Sequence, residues 1–278
     1  MTGVRVITEL TLREAARKKV LWLALVGGGA FLALFGTGLH FQMQDAVREL
    51  PAVMRRPAAN VFLVVGLYGA DMLTVILTVL VAADTLSGEI VSGTIQAVAT
   101  KPIDRWEMVA GKWLGCAVVA TAYLALMVGG TAALGRWVAG ARVEHLAAGV
   151  GLVWLESALV LTLTILGGTT LSALASAVLV LGLHGLAFLG GWIEQFGAMM
   201  HSQRAVMLGI VASVVMPSES LWRRAAYEMQ TPLAPALGLG PMVNLAASVP
   251  SAAMVVYAAV YMAAAFAVAL LLFQRRDL

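Results

Sequence analysis

Three ionisable residues stand where the chain is otherwise apolar: Asp71, Glu156 and His184, each near the middle of a long hydrophobic run. An ionisable group at that depth in a bilayer costs roughly 2.5–3.5 kcal/mol on insertion scales, so it faces a bundle interior or water. Two chemistries suit such groups. One is a polar translocation path or a proton relay between carboxyl and imidazole. The other is structural, a protonated carboxyl or neutral imidazole hydrogen-bonded between helices. The three lie on different runs, and spacing along the chain does not bring them together.

Other chemistry-bearing patterns are missing. His40, His145, His184 and His201 are never paired at metal-binding spacing, and neither HExxH nor GxSxG occurs. Cys116 is the single cysteine, which excludes an intramolecular disulfide or a thiolate cluster. Met199-Met200-His201, with Met207 nearby, reads more simply as an adaptable membrane-surface patch than as a soft-metal site. A phosphate-cradling GxxxxGK[ST] is absent too, because Gly111-Lys112 runs into Trp113 without the upstream glycine. No catalytic, metal-ligating or cofactor-binding residue is therefore expected on this chain.

The elements that position these residues are dictated by lipid. Of 278 residues, 61% are hydrophobic and 12% charged, whereas soluble domains carry about 25% charged residues. That excludes a soluble cytosolic enzyme and a disordered chain. The net charge of +3 comes without a dense basic run, so nucleic acid is not an expected partner. Spanning hydrocarbon takes roughly 20 apolar residues. Runs of that length predict spans over about 20–39, 59–83, 113–134, 146–167, 171–193 and 251–273. The run from 146 to 193 would reach roughly 70 Å as one helix, so it divides, and Gly167-Gly168-Thr169-Thr170 is the natural break. Gly27-Gly28-Gly29 and Gly129-Gly130 suit close helix packing.

Residues 205–216 form a shorter apolar stretch closed by Pro217, suited to a re-entrant or interfacial helix within a 194–250 extracytoplasmic loop. Prolines 232, 235, 241 and 250 break the stretch that follows into a compact loop. Residues 1–19 read as a basic amphipathic helix in the headgroup layer, with Val4, Ile7, Leu10 and Thr11 on one side. No small-residue cleavage site follows the first apolar run, which is expected to stay in the protein. The expected fold is a single all-α transmembrane domain over 1–278. It has six transmembrane helices, an N-terminal interfacial helix and a re-entrant helix before the last span. With Arg223 and Arg224 set aside as remote from any span, ten Lys/Arg lie on the side of the termini and six on the other. Both termini are thereby placed in the cytoplasm. No internal repeat supports an inverted-repeat carrier.

The segment 84–112 has readable punctuation. Pro102 ends a helix that begins near Ser92, and Asp104 with Glu107 matches a capping box that starts another at Arg105. The result is a helix–break–helix continuous with spans two and three. Its pattern, Ser87-Gly88-Glu89, Gly93-Thr94, Lys101-Pro102-Ile103-Asp104-Arg105 and Gly111-Lys112, resembles the cytoplasmic signature of ABC-2 type transporter permeases. The N-terminal segment with Glu9, Glu14 and Arg17-Lys18-Lys19 is similar to that family as well, as is Pro217-Ser218-Glu219-Ser220-Leu221-Trp222-Arg223-Arg224. The likeness extends to separately encoded permeases, including those that assist nitrous-oxide-reductase maturation.

The resemblance implies a six-span half-transporter in a bacterial or archaeal inner membrane, working as a homodimer. It implies two copies of a separate ABC ATPase subunit, which holds ATP and magnesium. Glu89, Gly93, Thr94, Lys101, Pro102, Arg105, Gly111 and Lys112 would form the ATPase-coupling element. The turn Gly167–Ser172, the family's second docking point, here carries no charge. The expected function is ATP-driven export through a permease subunit whose path includes Asp71, Glu156 and His184. The alternatives are an ion- or proton-coupled carrier using those three residues, and a non-transporting membrane assembly factor.

Overall fold

In hydrocarbon a backbone must satisfy its own hydrogen bonds, so each apolar run folds as a helix. The computed structural model describes residues 3–45, 49–92 (of 89–92 the backbone alone), 104–231 and 249–275. Among these, the helices are α1 (Gly3–Arg17), α2 (Lys19–Gln44), α3 (Ala52–Ser92), α4 (Arg105–Val138), α5 (Leu146–Thr170), α6 (Ala173–Met199), α7 (Gln203–Val215), α8 (Ser218–Met229) and α9 (Ala252–Gln274). Six of them, α2 to α6 and α9, are long and apolar enough to cross a membrane. The protein is an all-α integral membrane protein.

Burial orders the bundle. In α3 and α5, 61% of the most apolar window is buried, against 6% in α2 and 11% in α9. The first two form the centre, and the outer pair keep most of their surface open to lipid. Helices α3 and α5 run in the same direction. Leu67 packs in one cluster with Val153, Val75 in another with Leu159 and Val160, and Gly168 lies against Ala83.

Contacts between helix ends define the two ends of the bundle. At the near end the Gly3 amide donates to Glu107 (3.2 Å), Arg105 donates to the Gln274 carbonyl (2.9 Å), and Lys18 meets Asp84 (3.2 Å). At the far end Asn60 donates to the carbonyls of Arg142 and Met229. The starts of α1 and α4 and the ends of α3 and α9 thus share one end. An even number of crossings follows.

Helix boundaries differ from the sequence expectation in physically readable ways. Helix α3 is 41 residues long, roughly 60 Å at the usual rise, and it continues as helix past residue 83 to Ser92. The break between α5 and α6 falls at Leu171–Ser172, slightly later than the Gly167–Thr170 expected. Ser172 caps α6 by accepting from the Ala175 amide (3.3 Å). The glycines are used for packing, since Ser176, which hydrogen-bonds the Thr164 carbonyl (2.9 Å), sits where a Gly167 side chain would be.

The re-entrant element is a bent pair. Helix α7 folds back along α6 from the far end, with Gly190 against Ala212 and Gly197 against Ala205. At Pro217 the chain turns by 106° into α8. Helix α8 returns to the far end, where Met229 lies against Gly149. Tyr257 and Tyr261 of α9 donate to the Val214 and Val215 carbonyls and hold the tip of α7.

Candidate functional site

The near end gathers the described part of the 84–112 element. Asp104 and Glu107 form the expected capping box, with the Asp104 amide donating to Glu107 Oε2 (3.4 Å). The other Glu107 oxygen holds the first residue of α1. Helix α1 lies along the start of α4 through Gly111 and Gly115. A side chain at 111 would begin 2.6 Å from Ile7 Cβ and 2.9 Å from the Val4 carbonyl oxygen. Ile7, Thr11 and Ala15, the buried stripe of α1, are thus covered by protein.

Lys112 is 3% exposed and donates to the Thr85 carbonyl (2.7 Å), tying α4 to α3. Lys18 bridges Glu14 (2.9 Å) and Asp84 (3.2 Å). Burial opposes its charge, but the two carboxylates outweigh that and hold its ammonium above the usual lysine range. Arg105, Gly111 and Lys112 are therefore braces between helices. Glu89 falls in the last turns of α3, its side chain outside the description. Gly93, Thr94, Lys101 and Pro102 lie outside the described residues.

Inside the bundle the structure brings Asp71, Glu156 and His184 together. Asp71 sits between Leu67 and Val75 on α3, level with Glu156 on α5, because Leu67 packs with Val153 and Val75 with Leu159 and Val160. His184 Nδ1 is 4.0 Å from Glu156 Oε1 and 3.0 Å from Ser218 Oγ at the start of α8. Glu219 completes the group, accepting from the Tyr68 hydroxyl (3.1 Å). Asp71 is 1% exposed and Glu156 0%. None of their four carboxyl oxygens receives a hydrogen bond among the described residues.

No protein-family model matches the chain, and a search of curated proteins gives no match. What the site can do therefore follows from its geometry. Among the described residues, no three His, Cys, Asp or Glu side chains converge as a metal site. The group is an acid–imidazole cluster where a broken helix starts inside the bundle. Elsewhere, half-helix termini at mid-membrane depth mark substrate or ion sites.

The sequence reading missed α8. Residues 218–229 were expected as loop, yet Trp222 is 0% and Arg223 2% exposed. Arg223 donates to Glu194 of α6 (2.8 Å), and Trp222 stacks on Tyr68 at 4.8 Å. The available signal was Glu219 and Arg223, four residues apart after Pro217 and so on one helical face.

Proposed function

We propose that this chain is the membrane-spanning permease subunit of an ATP-binding cassette transporter of the ABC-2 type. In this reading it exports its substrate with ATP hydrolysed on a separate subunit. The observation that carries it is the bracing of the near end. Helix α3 runs unbroken to Ser92. Helix α4 restarts at a capped Arg105, and α1 and α9 are tied to that restart through Glu107 and Arg105. A partner pressing between residues 89 and 105 moves the ends of four helices, including the central α3. The signature around Glu89, Gly93, Thr94, Lys101 and Pro102 supplies the docking surface.

The same reading places the near end, which carries eight of the described basic residues, in the cytoplasm of an inner membrane. It assigns the largely unburied faces of α2 and α9 to lipid and to a second copy of the chain. In this reading Asp71, Glu156 and His184, buried within the bundle of one chain, belong to the translocation path.

The test uses the full-length chain, tagged and purified from its native membrane in mild detergent after crosslinking. An ATP-hydrolysing subunit should accompany it, and Glu89→Ala should lower the ATPase stimulation that the chain produces in liposomes. Recovery without such a subunit, or unaltered stimulation in the variant, refutes the reading.

A further inference from the structure

The buried carboxyls are unevenly compensated, and the unevenness identifies a ligand. Arg223 is the cation buried in this region, and it donates to Glu194 at 2.8 Å. Glu219, one turn before Arg223 on α8, accepts from Tyr68. His184 shares a hydrogen bond with Ser218. Asp71 and Glu156 accept no hydrogen bond among the described residues, the His184 imidazole standing 4.0 Å from Glu156, and both are enclosed.

The other elements packed on α3 and α5 bring no charge to this depth among the described residues. Lys112 of α4 donates to the Thr85 carbonyl near one end. His40 of α2 pairs with Gln44 at the other. The α9 tyrosines donate to α7 carbonyls.

Two ionised carboxylates in that position carry a desolvation penalty of several kcal/mol each, as well as mutual repulsion. Something positive must meet them. A metal ion needs a convergent ligand set, which the described residues do not form. An organic cation needs room, and all four carboxyl oxygens are closed off, whereas clefts among the described residues open around Arg55, Arg142 and His201. A proton needs no volume.

We propose that Asp71 and Glu156 form a proton-binding site at the tip of the bent α7–α8 pair, holding protons at neutral pH. Loss of those protons would set like charges against Glu219 and drive α8 off α3 and α5. The Tyr68–Glu219 and His184–Ser218 hydrogen bonds fasten the first two residues of α8 there, so the displacement would begin at Ser218. The site does not depend on the permease reading, since it asks nothing of a partner.

The test is infrared spectroscopy of the full-length protein in lipid nanodiscs, read at the carbonyl band of protonated carboxyl groups. The band should be present at neutral pH, weaken in Asp71→Asn and in Glu156→Gln, and persist unchanged in Glu144→Gln at the surface. Glu156→Gln, which mimics the protonated acid, should melt no lower than the parent, whereas Glu156→Ala should melt lower. Absence of the band in the parent, or its indifference to both buried variants, overturns the site. For the link to α8, Cys116→Ser/Ser220→Cys protein is labelled with a thiol reagent at alkaline pH. Labelling should be several-fold faster than in the same protein carrying Glu156→Gln, and equal rates overturn the link. No ATPase is needed, so failure here leaves the permease proposal untouched, and the converse holds.

Discussion

The near end and the bundle interior handle charge in opposite ways. At the near end the charges brace the fold. Lys18 joins two carboxylates, Lys112 and Arg105 close on backbone carbonyls of other helices, and Glu107 caps one helix while holding another. In the interior, Asp71 and Glu156 are buried without a hydrogen bond, although apolar residues there would pack at lower cost. A region whose charges tie helices to one another can transmit a displacement as a unit. A region that keeps uncompensated acids is poised to change state when something binds. On the proposed reading, the contrast separates where force would enter from where a proton would act.

The largest expected effect tests whether the interior acids stand apart from the Arg223 network. Arg223→Ala removes the buried guanidinium that pairs with Glu194 at 2.8 Å and lies one turn after Glu219 on α8. Breaking a buried pair from one side costs about 3–5 kcal/mol, so the variant should lose its monodisperse peak in detergent or melt far below the parent. The double variant Arg223→Met/Glu194→Gln should recover much of the loss. A single variant as stable as the parent would show that the acids are not arranged around this guanidinium. At the near end the counterpart is Gly111→Leu, whose side chain would collide with Ile7. Overpacking of this kind costs about 1–3 kcal/mol. Because the load falls on α1 alone, trypsin should cut at Arg5, Arg13 and Arg17 while the six spans stay intact. A protected α1 would mean that α4 does not hold it.

Of the two regions, the near end was the more legible in the sequence, for a physical reason. A capping box is a local code, and Asp104 with Glu107 specified the start of α4 to the residue. Apolar length is equally local and marked all six spans. The interior depends on register between helices. Nothing along the chain says that Asp71 meets Glu156, because Leu67 packing with Val153, and Val75 with Leu159 and Val160, sets that alignment. Helix α8 was hidden for a related reason. Its polar residues read as loop by hydropathy, and they are buried where Glu194 and Tyr68, from two other helices, bond Arg223 and Glu219. The α5–α6 break came near its expected place, but Ser172 fixed it and the glycines did not.

A smaller effect sharpens the interior side of the comparison. Tyr68→Phe removes the hydroxyl that donates to Glu219 and keeps the ring that stacks on Trp222. A hydrogen bond to a charged acceptor contributes about 1.5–3 kcal/mol. Partial use of that bond leaves the expected loss near the lower figure, seen as a modest fall in melting temperature. If Glu219 is instead held by Arg223 alone, the variant should match the parent.

The smallest effect lies at the near end and concerns pH. The Lys18 ammonium is held above its ordinary value of 10.5 by Glu14 and Asp84. A group whose proton is bound more tightly in the folded state stabilises that state fully below the unfolded value, and the stabilisation fades as pH rises through the folded one. The bridge should therefore be indifferent to pH across the neutral and acidic range in which Lys18 stays charged and its carboxylates stay ionised. It should weaken on the alkaline side, above about 10.5. Partly exposed pairs contribute at most about 1 kcal/mol, so Asp84→Asn/Glu14→Gln should change the neutral melting temperature little. The decisive quantity is the slope. The double variant should lose less stability than the parent between pH values below and above the lysine range, with Lys18→Met as the reference that has no slope from this site. Parallel alkaline limbs in all three proteins would mean that the bridge is not what fastens α1 and α2 to the end of α3.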